Sequence, residues 1–385
     1  MRRGVLCGMR RLVVKVGTNV LSGPAAPLDE ERVRAVSGAV AALVADGRQV
    51  VLVSSGAIGA GMGELGMQGR PRTLPALQAA ASVGQGRLMA SYEAALGRHG
   101  LHAGQILLTR DDFDARDRYL NAANTIRQLF SLGCVPVVNE NDTVSTDEIR
   151  FGDNDQLAAL VTHLVRAEAL ILLSSVPGLY VRSPWPEAVL SVHDAREQGG
   201  RAVADVVGEV SQEVAALAMD ETTPLGTGGM RSKLEAVRIA VEAGEAAVIA
   251  DGREPDVLPR LMAGEALGTL FLPADVKLKS RKRWMRFASR PRGAVVVDDG
   301  AMRALLKKGR SLLPSGVAGV EGEFGPGDLV KIKGPGGAEF ARGLSNYSSA
   351  DVGRIKGLRS SQIEPELGHK CYDEVVHRDN LALLQ

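Results

Sequence analysis

The chain has 385 residues, which at roughly 100 to 200 residues per domain predicts about two domains. Hydrophobic residues make up 45%, enough for sizeable cores. The 46 Lys plus Arg against 45 Asp plus Glu leave a formal charge of +1, which excludes a chain-wide polyanion-binding surface.

The opening stretch MRRGVLCGMRR is basic, but the apolar run behind it is broken at Lys15, too early for a secretory signal. It reads as a short ragged leader before a strand. No apolar run reaches the roughly 20 residues of a membrane span. Six short apolar runs then recur, each closing on small or polar residues: LVVKVGT at 12–18, VVLVSSG at 50–56, QILLTR at 105–110, CVPVVNEND at 134–142, ALILLSS at 169–175 and AAVIADG at 246–252. Such runs predict strands buried on both faces. Helical patterns lie between them. Asp29 is an N-cap candidate before Glu30 and Glu31, and Val33, Val36, Val40, Leu43 and Val44 share one helical face as far as Gly47. Leu157, Leu160, Val161, Leu164 and Val165 repeat that spacing. Strand–helix alternation over the first two thirds predicts an α/β fold, a mostly parallel sheet sandwiched by helices, whose ligands bind beyond the carboxyl ends of the strands.

Composition shifts near residue 274. Positions 274–292 carry eight basic residues against the single acid Asp275 and read as a basic linker. Beyond it a strand at 294–297, a short helix through Leu305 and Leu306, and turn-rich segments such as GEFGPGDLVKIKGPGG predict a small, mainly β domain. Cys7, Cys134 and Cys371 are widely spaced, odd in number and in no Cys-x-x-Cys pair. That argues against a disulfide framework or thiolate zinc site and for a reducing cytoplasm.

The candidates for chemistry stand at strand ends. Lys15 sits inside an apolar strand, where its charge is costly unless an anion meets it; snorkelling to solvent is the bland alternative. Ser54, Ser55 and Gly56 close the second strand, followed by Gly59, Gly61 and Gly63, a turn able to present N–H groups to an anion or merely to connect. Asn139, Glu140, Asn141 and Asp142 are too polar for a simple connector. Gly152, Asp153, Asn154 and Asp155 open the next helix, where capping accounts for one acidic or amide residue but hardly for three. A pair of such clusters at one sheet edge suits a zwitterion, with Asp142 toward its ammonium and Asn154 toward its backbone polar atoms. The run Gly226, Thr227, Gly228, Gly229, Met230, Arg231, Ser232, Lys233 leads into a helix and has the physics of a phosphate cradle without a Walker A ending. Lysines, glycine turns and carboxylates together point to phosphoryl transfer. A carboxylate acceptor, already ionised at neutral pH, needs no histidine base, and none of the six histidines lies in these clusters.

VVKVGTNVL, VSSGAIGAG, GQILLTR, VPVVNENDTVST, FGDNDQLAALV, GTGGMRSKLEA, SLLPSGV, GEFGPGD and VHRD, in this order, resemble the bacterial glutamate 5-kinase family from about Leu12 onward. The resemblance implies an amino acid kinase domain at 10–273, the linker at 274–292 and a PUA domain at 293–370. It implies phosphorylation of the L-glutamate side chain by ATP with Mg²⁺, the first step of proline synthesis, feedback inhibition by proline, and a homo-oligomer of two or four copies. By motif, Lys15 and Lys233 look like catalytic lysines that Asp155 organises, and Ser55, Asp142 and Asn154 like glutamate contacts. Lys15, Ser174, Ser175, Thr227, Gly228, Gly229, Met230, Arg231, Ser232 and Lys233 look like ATP contacts; no protein metal ligand is implied. Where the family usually has threonine–aspartate, this chain has Ser174–Ser175, which puts the nucleotide contacts in question. Kinases of aspartate, carbamate, acetylglutamate or UMP would share the sheet but not NENDTVST, GDND and the appended domain together. An RNA-associated role is a second alternative, but the 293–371 stretch has only eleven basic residues against nine acids.

Overall fold

The computed structural model describes residues 1–23, 26–145, 154–181, 184–193, 202–217, 229–274, 285, 290–370 and 372–384. The chain divides into two compact units, Met1–Lys277 and Leu278–Gln385.

In the first unit all six apolar runs are strands: β1 (Arg11–Val16), β2 (Gln49–Ser54), β3 (His102–Leu108), β4 (Cys134–Glu140), β5 (Ala169–Ser174) and β9 (Ala246–Asp251). They pair in the order β3-β4-β2-β1-β5-β9, every pair parallel. The sheet continues into β10 (Thr269–Phe271), β8 (Ala202–Val207) and β6 (Tyr180–Val181), with β7 (Val189–His193) beside β8. That extension includes antiparallel pairings, β10 with β9 and β8 with β6 and β7. β5 is buried along its whole length, as expected of a strand covered on both faces.

Alternation assigns the faces. Leu12, Val14 and Val16 join Leu52, Val137, Ile171 and Val248 in one core with Val40 and Leu43 of the helix Glu30–Ala45 and Leu88 and Tyr92 of the helix Leu74–Gly97. Asp29 caps the first of these helices, its carboxylate accepting from the N–H groups of Glu31 and Arg32. Lys15, one residue out of phase, points to the opposite face, where the helices Asn154–Val165 and Met230–Glu242 lie.

The amino terminus differs from its reading as a ragged leader. Arg2–Leu6 is a helix, Leu6 is buried, and Arg2 is 5% exposed with its guanidinium bonded to the Asp205 side chain and to the carbonyls of Asp205, Leu267 and Gly268. A periodicity of five residues is too short to read, and the anchor depends on β8 and β10, far away in sequence. Burial pushes the Arg2 guanidinium down, and the charge and hydrogen bond of Asp205 oppose it.

The second unit is a five-stranded sheet in the order β12 (Val317–Gly322), β11 (Gly293–Val297), β13 (Leu329–Lys333), β14 (Glu339–Leu344) and β15 (Leu381–Leu383). Only β11 and β13 run parallel. Val295, Ile332, Phe340, Tyr347 and Val376 form its own core. The short helix expected through Leu305 is Asp299–Lys308, capped by Asp298 and closed by Gly309 in the left-handed region. No helix among the described residues is long and apolar enough to cross a membrane.

Candidate functional site

β1, β2, β4, β5 and β9 run parallel, so their carboxyl ends open on one edge, and the flagged polar residues gather there. Lys15 is 3% exposed on β1, Asp155 is fully buried in the first turn of Asn154–Val165, and Lys233 is 7% exposed in the first turn of Met230–Glu242. Lys15 Nζ lies 2.6 Å from Asp155 Oδ1, and Lys233 Nζ lies 3.2 Å from Asp155 Oδ2. The one Ser232 hydroxyl proton is shared between the same Oδ2 and the Gly229 carbonyl, each 3.0 Å from Oγ. One buried carboxylate thus holds two ammonium groups drawn from a strand and a helix. Burying three charges costs several kcal/mol per ion unless each is paired and hydrogen-bonded. Such a cluster is preorganised to meet anionic oxygen.

Beside it runs a second network. The two N–H protons of Asn154 Nδ2 are shared among three acceptors, the Ser54 carbonyl (2.8 Å), Ser55 Oγ (3.1 Å) and Asn139 Oδ1 (2.8 Å). Ser54 Oγ shares a hydrogen bond of 2.9 Å with Tyr92 Oη. Tyr92 is wholly buried, and burial pushes its phenol up to about 12, with the Ser54 bond pulling the other way. After Ser55 the chain turns at Gly56, whose φ of 106° lies in the left-handed region, and enters the helix Ala57–Glu64. That helix presses against Leu74–Gly97 backbone to backbone: a Cβ on Gly61 would overlap the Ala80 carbonyl, and one on Gly84 the Ala57 carbonyl.

Asp142 sits in the turn after β4 and lines a cavity of about 270 Å³ together with Gln85, Gln105, Glu140 and Asn141. Ser174 ends β5 in register with Asp251 of β9. Ser175 follows it, and its carbonyl accepts from Arg253 Nη2 at 2.6 Å, while the same guanidinium binds Asp251 at 2.7 to 2.9 Å. Burial pushes the Asp251 carboxyl up, and the hydrogen bonds and charge of Arg253 outweigh it and hold the group below its ordinary value. A carboxylate therefore stands at this edge one strand away from Ser175.

The structure brings Lys15, Asp155, Ser232 and Lys233 into one cluster, joins Ser55 and Asn154 in the neighbouring network, and places Asp142 in the cavity that Gln85 also lines. Gly229 is the extended N-cap of Met230–Glu242; Met230 is buried and Arg231 exposed. Asp153, Thr227 and Gly228 lie outside the described residues. Sequence reasoning passed over Gln85, Tyr92, Asp251 and Arg253. The signals were present: a glutamine between glycines in a helix of small residues, and an acid–Gly–Arg ending to the last apolar run. Among the described residues no three His, Cys, Asp or Glu side chains are grouped as a metal site requires.

The Amino acid kinase family model matches residues 10–251, and the PUA domain model matches residues 293–367. The glutamate 5-kinase of Citrifermentans bemidjiense is 48% identical over 386 residues, covering 100% of both chains. That of Geobacter sp. (strain M21) has the same identity and coverage, and that of Pelobacter propionicus is 45% identical, again over 100% of both chains.

Proposed function

Because the chain belongs to the amino acid kinase family and carries a PUA domain behind the kinase portion, we propose that it is a glutamate 5-kinase, transferring the γ-phosphoryl group of ATP to the side-chain carboxylate of L-glutamate. The observation that carries this reading is the pair of buried lysines, Lys15 and Lys233, converging on Asp155 at the carboxyl edge of the sheet.

The carboxylate oxygen attacks phosphorus in line, the bond from phosphorus to the bridging oxygen of ADP breaks, and no proton has to move. Lys15 and Lys233 meet the charge on the phosphoryl oxygens, and Asp155 keeps both ammonium groups aimed at one point. The helix start at Gly229–Ser232 offers its N–H groups to the phosphates, and Ser174 and Ser175 border the nucleotide. Asp142 takes the substrate ammonium, while Ser55 and Asn154 hold the amino acid beside the cluster. Two ammonium groups and a helix amino terminus fit a polyphosphate. Mg²⁺ would enter this site with the nucleotide rather than on a cluster of protein ligands among the described residues and would supply neutralisation of phosphate charge. The proposal places the kinase portion at 10–273, the enzyme in the cytoplasm as an assembly of two or four copies, and proline as the inhibitor.

The test is a substrate panel of L-glutamate, L-aspartate, carbamate and UMP with ATP and Mg²⁺, read as ADP release, with acyl phosphate trapped by hydroxylamine. Hydroxamate from L-glutamate with little turnover of the others is expected. Comparable turnover of aspartate overturns the assignment.

A further inference from the structure

Gln85, on the helix Leu74–Gly97, has a buried Nε2 with no hydrogen-bond partner among the described residues. Its orientation is set by a chain of bonds that begins at a backbone group. The Glu140 N–H can only donate, and it donates to Asn139 Oδ1 at 2.9 Å, which fixes that oxygen as the acceptor. Asn139 Nδ2 therefore faces Gln85 and donates to Oε1 at 2.9 Å. The Gln85 oxygen is thereby committed to Asn139, and its amide nitrogen is turned away from it. A buried donor without an acceptor is costly, and such groups are uncommon in folded proteins.

Gln85 also lines the 270 Å³ cavity that contains Asp142, Glu140, Asn141 and Gln105. Along the same bonded chain, Asn139 accepts from Asn154, the neighbour of Asp155. The three amides Asn154, Asn139 and Gln85 thus run from the lysine cluster to the cavity. An amino acid whose side-chain carboxylate lies at the lysines has its backbone end at Gln85 and Asp142. Asp142 suits the ammonium there. The remaining backbone group is a carboxylate, which calls for a donor.

We propose that Gln85 is a specificity-determining residue whose Nε2 donates to the α-carboxylate of the amino acid substrate, an inference that rests on the reading of the site as a glutamate kinase. It makes the amide chain the link between the two ends of the substrate, the side-chain carboxylate at the lysines and the α-carboxylate at Gln85.

The test uses Gln85→Glu in the full chain. The new carboxylate still accepts from Asn139, so the rest of the chain of bonds is kept, and only the donor is replaced by an anion. The KM for L-glutamate should rise by roughly 10- to 150-fold, the effect of losing a charge-assisted hydrogen bond. The turnover number and the KM for ATP should stay near their original values. The α-amide of L-glutamate, whose neutral α group can donate to the new carboxylate, should lose far less, so the preference between the two compounds narrows or inverts. Gln85→Met removes the donor at similar volume, and its thermal stabilisation by L-glutamate should fall toward that given by the α-amide; this serves if Gln85→Glu does not fold. Equal changes for both compounds in either variant, or a loss confined to the turnover number, would overturn the role of Gln85. A native enzyme that fails to phosphorylate L-glutamate would instead refute the function on which it rests.

Discussion

The first unit buries Lys15, Asn139, Glu140, Asp155, Ser174 and Lys233, whereas Ser345 is the buried polar residue of the second unit among those described. The second unit keeps its charges in partly exposed pairs such as Lys333–Glu321 at 2.5 Å, Arg342–Glu339 at 2.7 Å and Arg354–Glu366 at 3.2 Å. Both units have an apolar core of their own, so folding alone does not require buried charge. The difference teaches where stability has been given up. Exposed pairs contribute about 0 to 1 kcal/mol each, while buried charges are costly to keep and strongly coupled to what they touch.

The comparison breaks most sharply on a pair of lysines. Lys233→Ala should lower turnover by roughly 10² to 10³, about 3 to 4 kcal/mol, as for removal of one preorganised donor. Lys333→Ala, which cuts an exposed pair in the second unit, should leave turnover unchanged and shift stability by no more than about 1 kcal/mol. Steady-state kinetics and urea unfolding of both variants check this. Near-native turnover in Lys233→Ala would mean that the buried cluster serves only the fold.

A somewhat smaller effect sharpens the same contrast through pH. The buried Tyr92 phenol, pushed up from 10.0 to about 12, favours the protonated form in the folded chain. Its contribution is therefore fully present below about pH 10 and is lost as pH rises toward 12, amounting to about 3 kcal/mol for a shift of about two units. Tyr92→Phe should fall less steeply in stability than the native chain between pH 10 and 12, as urea unfolding at several pH values would reveal. Parallel slopes would show that the ring is reached by water.

The legible parts of the molecule were those with a long enough period or a strong enough anomaly. The six parallel strands announce themselves as apolar runs, and a lysine or four polar residues at the end of such a run stand out. β6 and β10 are two and three residues long, too short for any pattern. β8 carries Asp205 in its middle, whose partner Arg2 lies 203 residues away, and β7 pairs with it through register shifts. Gln85 was marked by its flanking glycines but not by a role. That role depends on the oxygen of Asn139 being fixed by a backbone N–H, a fact of tertiary structure. Asp155 lay between: its type and place were readable and the resemblance linked it to the lysines, but its spacing shows no such link, because Lys15 and Lys233 are 218 residues apart in sequence and meet it only through β1 and Met230–Glu242.

The central claim, that the chemistry belongs to the first unit, is tested most directly by ending the chain at Pro273. Every residue assigned a role, from Lys15 to Lys233, precedes that point, and the second unit has its own sheet and core. The shortened protein should remain folded by circular dichroism and phosphorylate L-glutamate at saturating substrates, with changes confined to assembly or regulation. A folded fragment without glutamate kinase activity would contradict the account and assign the second unit a part in completing the active site.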